Sequence, residues 1–149
     1  MKLLYFPVEY AIKEHNKIIE ISGGLSGIKD LGNIQSPLGH IQNDDYYPEI
    51  EDKITHIVFS INKNHAFTDG NKRSSIVLGA FFLDLNGFDI LVHKFIRKME
   101  NIAVDIADNR IDKKLLHEII TSIIYEDDYS EELKLKIIAA LSNKGNFNY

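Results

Sequence analysis

Residues 76–85 constrain this chain more than any other stretch, because eight of the ten are apolar. A helix that is apolar on nearly every face belongs in the middle of a fold, with other elements packed around it. The surrounding sequence supplies helices to do that. Residues 8–22 carry Ala11, Ile12, His15, Ile18 and Ile19 at helical spacing, and Gly23 and Gly24 stop the pattern. Residues 50–64 carry Ile50, Ile54, Ile57, Val58 and Ile61 in the same way. After the terminator Asn86-Gly87, two further stripes follow. One is Phe95, Met99, Ile102, Ala103, Ile106 and Ala107; the next is Leu115, Leu116, Ile119, Ile120, Ile123 and Ile124. Ser130 is placed to cap a last helix with Leu133, Ile137, Ile138 and Leu141, and residues 143–149 read as a frayed end. Residues 23–48 read as loop with one short helical piece, and residues 88–92 are the only strand candidate. The expectation is one all-α domain over residues 1–149, a compact helical bundle with a central buried helix.

Immediately before that helix stand His65, Ala66, Phe67, Thr68, Asp69, Gly70, Asn71, Lys72 and Arg73. A helix fixed in a core holds its N-terminus still, and that end offers free N–H groups and a partial positive charge. Lys72 and Arg73 add full charges, so the segment reads as an anion site, most simply for phosphate. Gly70 permits a positive φ and close backbone approach. Asn71 tolerates unusual backbone angles and can donate to an oxyanion. Asp69 suits Mg²⁺, which reaches proteins through one or two carboxylates and substrate phosphates. His65 titrates near neutrality and is the candidate base for a hydroxyl proton. Phe67 is the expected anchor of the loop. The bland alternative is a hydrogen-bonded turn in which Asp69 merely caps the next helix.

The nine residues resemble the signature of the Fic/Doc superfamily, His-Pro-Phe-x-Asp/Glu-Gly-Asn-Gly-Arg, and Lys72 in place of the last Gly makes the chain similar to its death-on-curing (Doc) branch. Residues 23–30 are similar to the segment after the first helix of Doc-like proteins. The resemblance spans roughly residues 5–125. Ala66 departs from the usual Pro, and Gly70 is the Fic residue where some Doc proteins carry Ala. The resemblance implies a Fic/Doc-type helical fold and a toxin of a toxin–antitoxin system. It implies phosphoryl transfer from ATP, with Mg²⁺, to a Ser or Thr hydroxyl of a target protein such as elongation factor Tu. The roles it implies are His65 as base, Asp69 on Mg²⁺, and Gly70, Asn71, Lys72 and Arg73 on nucleotide phosphates. Transfer of AMP to a protein hydroxyl is the alternative reaction, and a non-catalytic binding module the alternative class. Some Fic proteins lock the motif Arg with an inhibitory helix, Ser/Thr-x-x-x-Glu-Gly/Asn. Ser26 and Ser130 are followed four positions later by Asp30 and Lys134, so neither fits, and a separate antitoxin is the expected restraint.

Composition excludes several classes. There is no Cys, hence no disulfide, thiolate metal site or Cys nucleophile. No apolar run nears the roughly 20 residues that span a bilayer, and the N-terminus lacks signal-peptide form, so a cytoplasmic protein without membrane contact is expected. A net charge of −5 argues against direct nucleic-acid binding. His15 reads as a core histidine, and His56 falls off its helix's apolar stripe and reads as exposed. His40 and His93 lack partners at metal-ligand spacing. Asp44, Asp45, Tyr46 and Tyr47 read as a solvated loop with aromatic plugs, or else as a flap holding a target peptide. Lys63 and Asn64 flank His65 and read as solvated or as aids to phosphate binding.

Overall fold

The computed structural model describes residues 2–142. The chain is all-α. Helices α1 (Val8–Ser22), α2 (Gly32–His40), α3 (Ile50–Lys63), α4 (Asn71–Leu85), α5 (Val92–Ala107), α6 (Lys113–Tyr125) and α7 (Glu131–Ser142) form a bundle, and no strand occurs among the described residues. The local chemistry explains the boundaries. Gly23, at φ +81°, ends α1 and returns its N–H to the Ile19 carbonyl. Glu49 and Asp52 form a reciprocal capping box at the start of α3. Asp112 caps α6 through the Leu115 N–H, and the Ser130 hydroxyl caps α7 through the Leu133 N–H at 3.1 Å. The expected strand at residues 88–92 is instead a 3₁₀ turn, Asp89–Leu91, leading into α5. A five-residue apolar run does not by itself distinguish strand from helix.

Helix α4 lies in the core as its composition requires, with Ile76, Leu78, Gly79, Ala80, Phe82 and Leu83 buried. It does not hold the center alone. Helix α3 packs against α2, α4, α5 and α6, and buries Lys53, Thr55, His56, Ser60 and Asn62 as well as its apolar stripe. That overturns the expectation that His56 is exposed. An amphipathic stripe predicts one buried face, whereas α3 is covered on two. His56 is 8% exposed and both ring nitrogens are engaged. His40 Nδ1 lies 3.1 Å from its Nε2, and Lys113 Nζ and the Tyr47 hydroxyl lie 2.7 and 3.3 Å from its Nδ1. Lys53 is buried too, donating to the Ile41 carbonyl at 2.6 Å and to Asp44 at 2.7 Å. The Asp44–Tyr47 stretch therefore serves the α2–α3 packing rather than the motif. At the chain's other end, α7 buries Leu133 but leaves Ile138 and Leu141 exposed, contrary to the expected stripe. The expected frayed end at residues 143–149 lies outside the described residues. No described helix is long and apolar enough to cross a membrane.

Candidate active site

Three pieces of backbone build the site. The C-terminus of α3 delivers His65, which adopts φ +49° in the left-handed region. For a residue with a Cβ this costs roughly 1–2 kcal/mol, a strain typical of functional positions. Next, the motif loop is pinned to the core. Phe67 is fully buried, its ring stacked on His15 at 3.7 Å between centroids. The buried His15 also donates from Nε2 to the Asp69 carbonyl at 2.6 Å, tying α1 to the loop. Asn71 reaches back over the loop: its Oδ1 accepts from the Phe67 N–H and its Nδ2 donates to the Phe67 carbonyl, both at 3.0 Å. Asn71 is thus a loop staple: one N–H of its amide is committed to backbone, and the second remains for an oxyanion in the cleft that Asn71 lines. Finally, residues 27–30 run beside the loop, joined by Thr68 N–H to the Gly27 carbonyl and by the Lys29 and Asp30 N–H groups to the Ala66 carbonyl. It is this glycine-rich segment, and not residues 44–47, that flanks the motif.

Helix α4 starts ahead of the apolar run at residues 76–85, at Asn71, with Gly70 as N-cap at φ +76°. Its first helical N–H bond runs from Ser74 to the Gly70 carbonyl. The N–H groups of Asn71, Lys72 and Arg73 meet no acceptor among the described residues. These donors, the helix dipole and the two cations make the region electropositive. Neither Lys72 nor Arg73 has a carboxylate within ion-pair distance among the described residues; Arg73 Nη2 comes only to 3.5 Å from the Gly23 carbonyl.

Asp69 sits at the edge of this field. Its Oδ2 accepts from the Leu25 N–H at 3.1 Å and its Oδ1 from the Gly70 N–H at 2.8 Å. Those two bonds, ahead of the nearby Arg73 and Lys72, hold its carboxyl below the usual carboxylate range, so it stays ionised. A Cβ at Gly24, φ +115°, would stand 2.7 Å from Asp69 Oδ2, which explains why glycine is needed there. His65, Thr68, Asp69, Gly70, Asn71, Lys72 and Arg73 line a single cleft of about 270 Å³, together with Asn62 and Ala107. Neither Lys63 nor Asn64 lines it: Lys63 donates to the Asn109 side chain, and the Asn64 carbonyl accepts from Asn33 at 2.8 Å. No group of three or more metal-ligating side chains occurs among the described residues. A hard cation here would have to share Asp69 with phosphate oxygens, and the single ionised carboxylate beside free N–H donors fits that arrangement.

Sequence reasoning missed three contributors. The His15 contact with the loop is invisible to periodicity, which marks His15 only as inward-facing. The Gly24–Leu25 contact with Asp69 crosses 44 residues, and only the paired glycines after α1 hinted at special backbone. Asn62 falls on the buried side of α3 with no motif to announce it.

Comparison with known proteins agrees with this architecture. The family model described as Fic/DOC family matches residues 5–83. The chain is 28% identical over 94 residues to Toxin Doc of Mycolicibacterium smegmatis, covering 60% of this chain and 72% of that protein. It is 33% identical over 86 residues to Protein kinase doc of Escherichia phage P1, covering 55% of this chain and 68% of that protein. With its motif on the N-terminus of a buried helix and Doc proteins among its relatives, the chain belongs to the Fic/DOC family, on its Doc-like side.

Proposed function

We propose that this protein is a toxin-type transferase that moves a phosphoryl group from Mg²⁺-bound ATP to a Ser or Thr hydroxyl of a target protein, with elongation factor Tu the first target to test. One observation carries the reading. A single cleft combines His65, an ionised Asp69, three unpaired N–H groups and two cations without acidic partners. That set matches the needs of phosphoryl transfer, where positioning and charge stabilisation dominate. The names of the two relatives, a toxin and a protein kinase, point the same way.

In this reading the N–H groups of α4, with Lys72 and Arg73, bind and orient the anionic oxygens of the nucleotide. Asp69 offers its remaining lone pairs to the metal. Mg²⁺, when bound with the nucleotide, neutralises phosphate charge. His65 accepts the proton of the attacking hydroxyl, an assistance typically worth about 10²–10⁴ in rate. Phe67 and His15 keep the loop in place, and Asn71 both staples the loop and offers its backbone N–H and second amide N–H to the phosphates. AMP transfer is the second reading. Lys72 is exposed at the rim of the cleft, so its side chain is free to leave room for the α-phosphate region.

A toxin with no internal lock on Arg73 requires restraint by a cognate antitoxin. Expressed without one in a bacterial host, the wild-type chain should arrest growth, and Asp69→Ala or Arg73→Ala should not. Harmless accumulation of folded, nucleotide-binding wild type would contradict the toxin assignment and favour a non-catalytic module.

A further inference from the structure

The cleft contains an acceptor without a donor and a base without an orienting partner. Asn62, on the last turn of α3, is 3% exposed and lines the cleft. Its Nδ2 donates to the Ala103 carbonyl of α5 at 3.0 Å. A carbonyl can only accept, so the amide must present its NH₂ to Ala103, and the orientation is fixed by chemistry. Its Oδ1 is then left buried with no hydrogen-bond partner. An unsatisfied buried acceptor costs about 1–3 kcal/mol and calls for an explanation. Three residues on, His65 lines the same cleft with its backbone at positive φ, and its imidazole makes no hydrogen bond among the described residues.

We infer that Asn62 is the positioning residue for His65, its Oδ1 accepting the imidazole Nδ1–H. This rests on the reading of His65 as the base. One bond would satisfy the orphaned acceptor and select the tautomer with a bare Nε2. The lone pair that takes the hydroxyl proton would then face the cleft. A base oriented by a third group is the general form of activated-hydroxyl chemistry. Unlike a carboxylate, the neutral amide fixes the tautomer without adding charge beside the electropositive end of α4, so the cleft stays favourable to anions.

The test is the ¹⁵N spectrum of histidine-labelled protein at a pH where His65 is neutral, assigned with His65→Gln, with neither nucleotide nor target present. Free imidazole side chains in water favour the Nε2–H form. The wild type should show His65 mainly as Nδ1–H. Folded Asn62→Leu, which keeps the volume and removes both amide ends, should revert to Nε2–H. Asn62→Asp should keep Nδ1–H and raise the His65 pKa. A wild-type His65 that is mainly Nε2–H overturns the inference even if neither variant folds. So does an Nδ1–H form that persists in folded Asn62→Leu. Because the spectrum needs no activity, failure here is distinguishable from failure of the transferase reading. Absent transfer with an Nδ1–H His65 would count against the latter alone.

Discussion

His56 makes the stability of this fold dependent on pH between its ordinary and its folded-state pKa. Burial, then Lys113, then His40 push its pKa from the ordinary 6.5 down to about 4. The folded state therefore refuses a proton that the unfolded chain accepts. Above pH 6.5 neither state binds it, and the His56 packing contributes in full. As pH falls from 6.5 towards 4 the unfolded state alone gains the proton, and stability is lost. Between pH 7 and pH 5 the loss amounts to about 2 kcal/mol, from the ratio of the two binding polynomials. With a urea slope of roughly 1–3 kcal/mol per molar, the unfolding midpoint should drop by about 1 M. The carboxyls held low, Asp69 and Asp128, act only below this window, near their ordinary 3.8 and under it. The perturbation to compare is His56→Gln, which retains hydrogen-bonding capacity and does not titrate. Urea unfolding of both proteins at the two pH values should show a clearly smaller loss in the variant. Equal losses in wild type and His56→Gln would refute the reasoning.

Other perturbations test the packing and the motif. Gly79→Ala gains up to about 1 kcal/mol of helix propensity. However, its Cβ would stand 2.9 Å from both Val58 Cγ2 and Phe95 Cζ, and overpacking costs about 1–3 kcal/mol. The clash should win, lowering Tm by several degrees in calorimetry, and a raised Tm would show that α3 and α5 yield easily. Asn71→Ala removes both bonds to Phe67 and should cost about 2 kcal/mol in urea unfolding; a change under about 0.5 kcal/mol would deny it the staple role. Lys72→Gly should lower γ-phosphate transfer and admit some AMP transfer, whereas an unchanged rate would place nucleotide orientation elsewhere.

The helices and the motif were legible in the sequence for a common reason, since both depend on local spacing. The extent of α1 followed from its apolar stripe and from the stop at Gly23 and Gly24. What could not be read was long-range pairing. Whether His56 faces solvent depends on α6 arriving from nearly 60 residues away, and the environment of Asp69 depends on Leu25. Asn71 illustrates the limit within the motif itself: its residue type suits an oxyanion donor or a loop staple equally well. Only the position of the Phe67 backbone shows that Asn71 is a staple, with one amide N–H left over for the cleft.

The central claim is that the cleft at the start of α4 transfers phosphate from ATP to protein. Incubating the purified chain and elongation factor Tu with γ-labelled or α-labelled ATP and Mg²⁺ measures it directly, with folded His65→Ala as the control. The account predicts γ-label on the target, no α-label, and neither in His65→Ala. Label from α-labelled ATP alone would establish AMP transfer instead. Undiminished γ-transfer by folded His65→Ala would contradict the site.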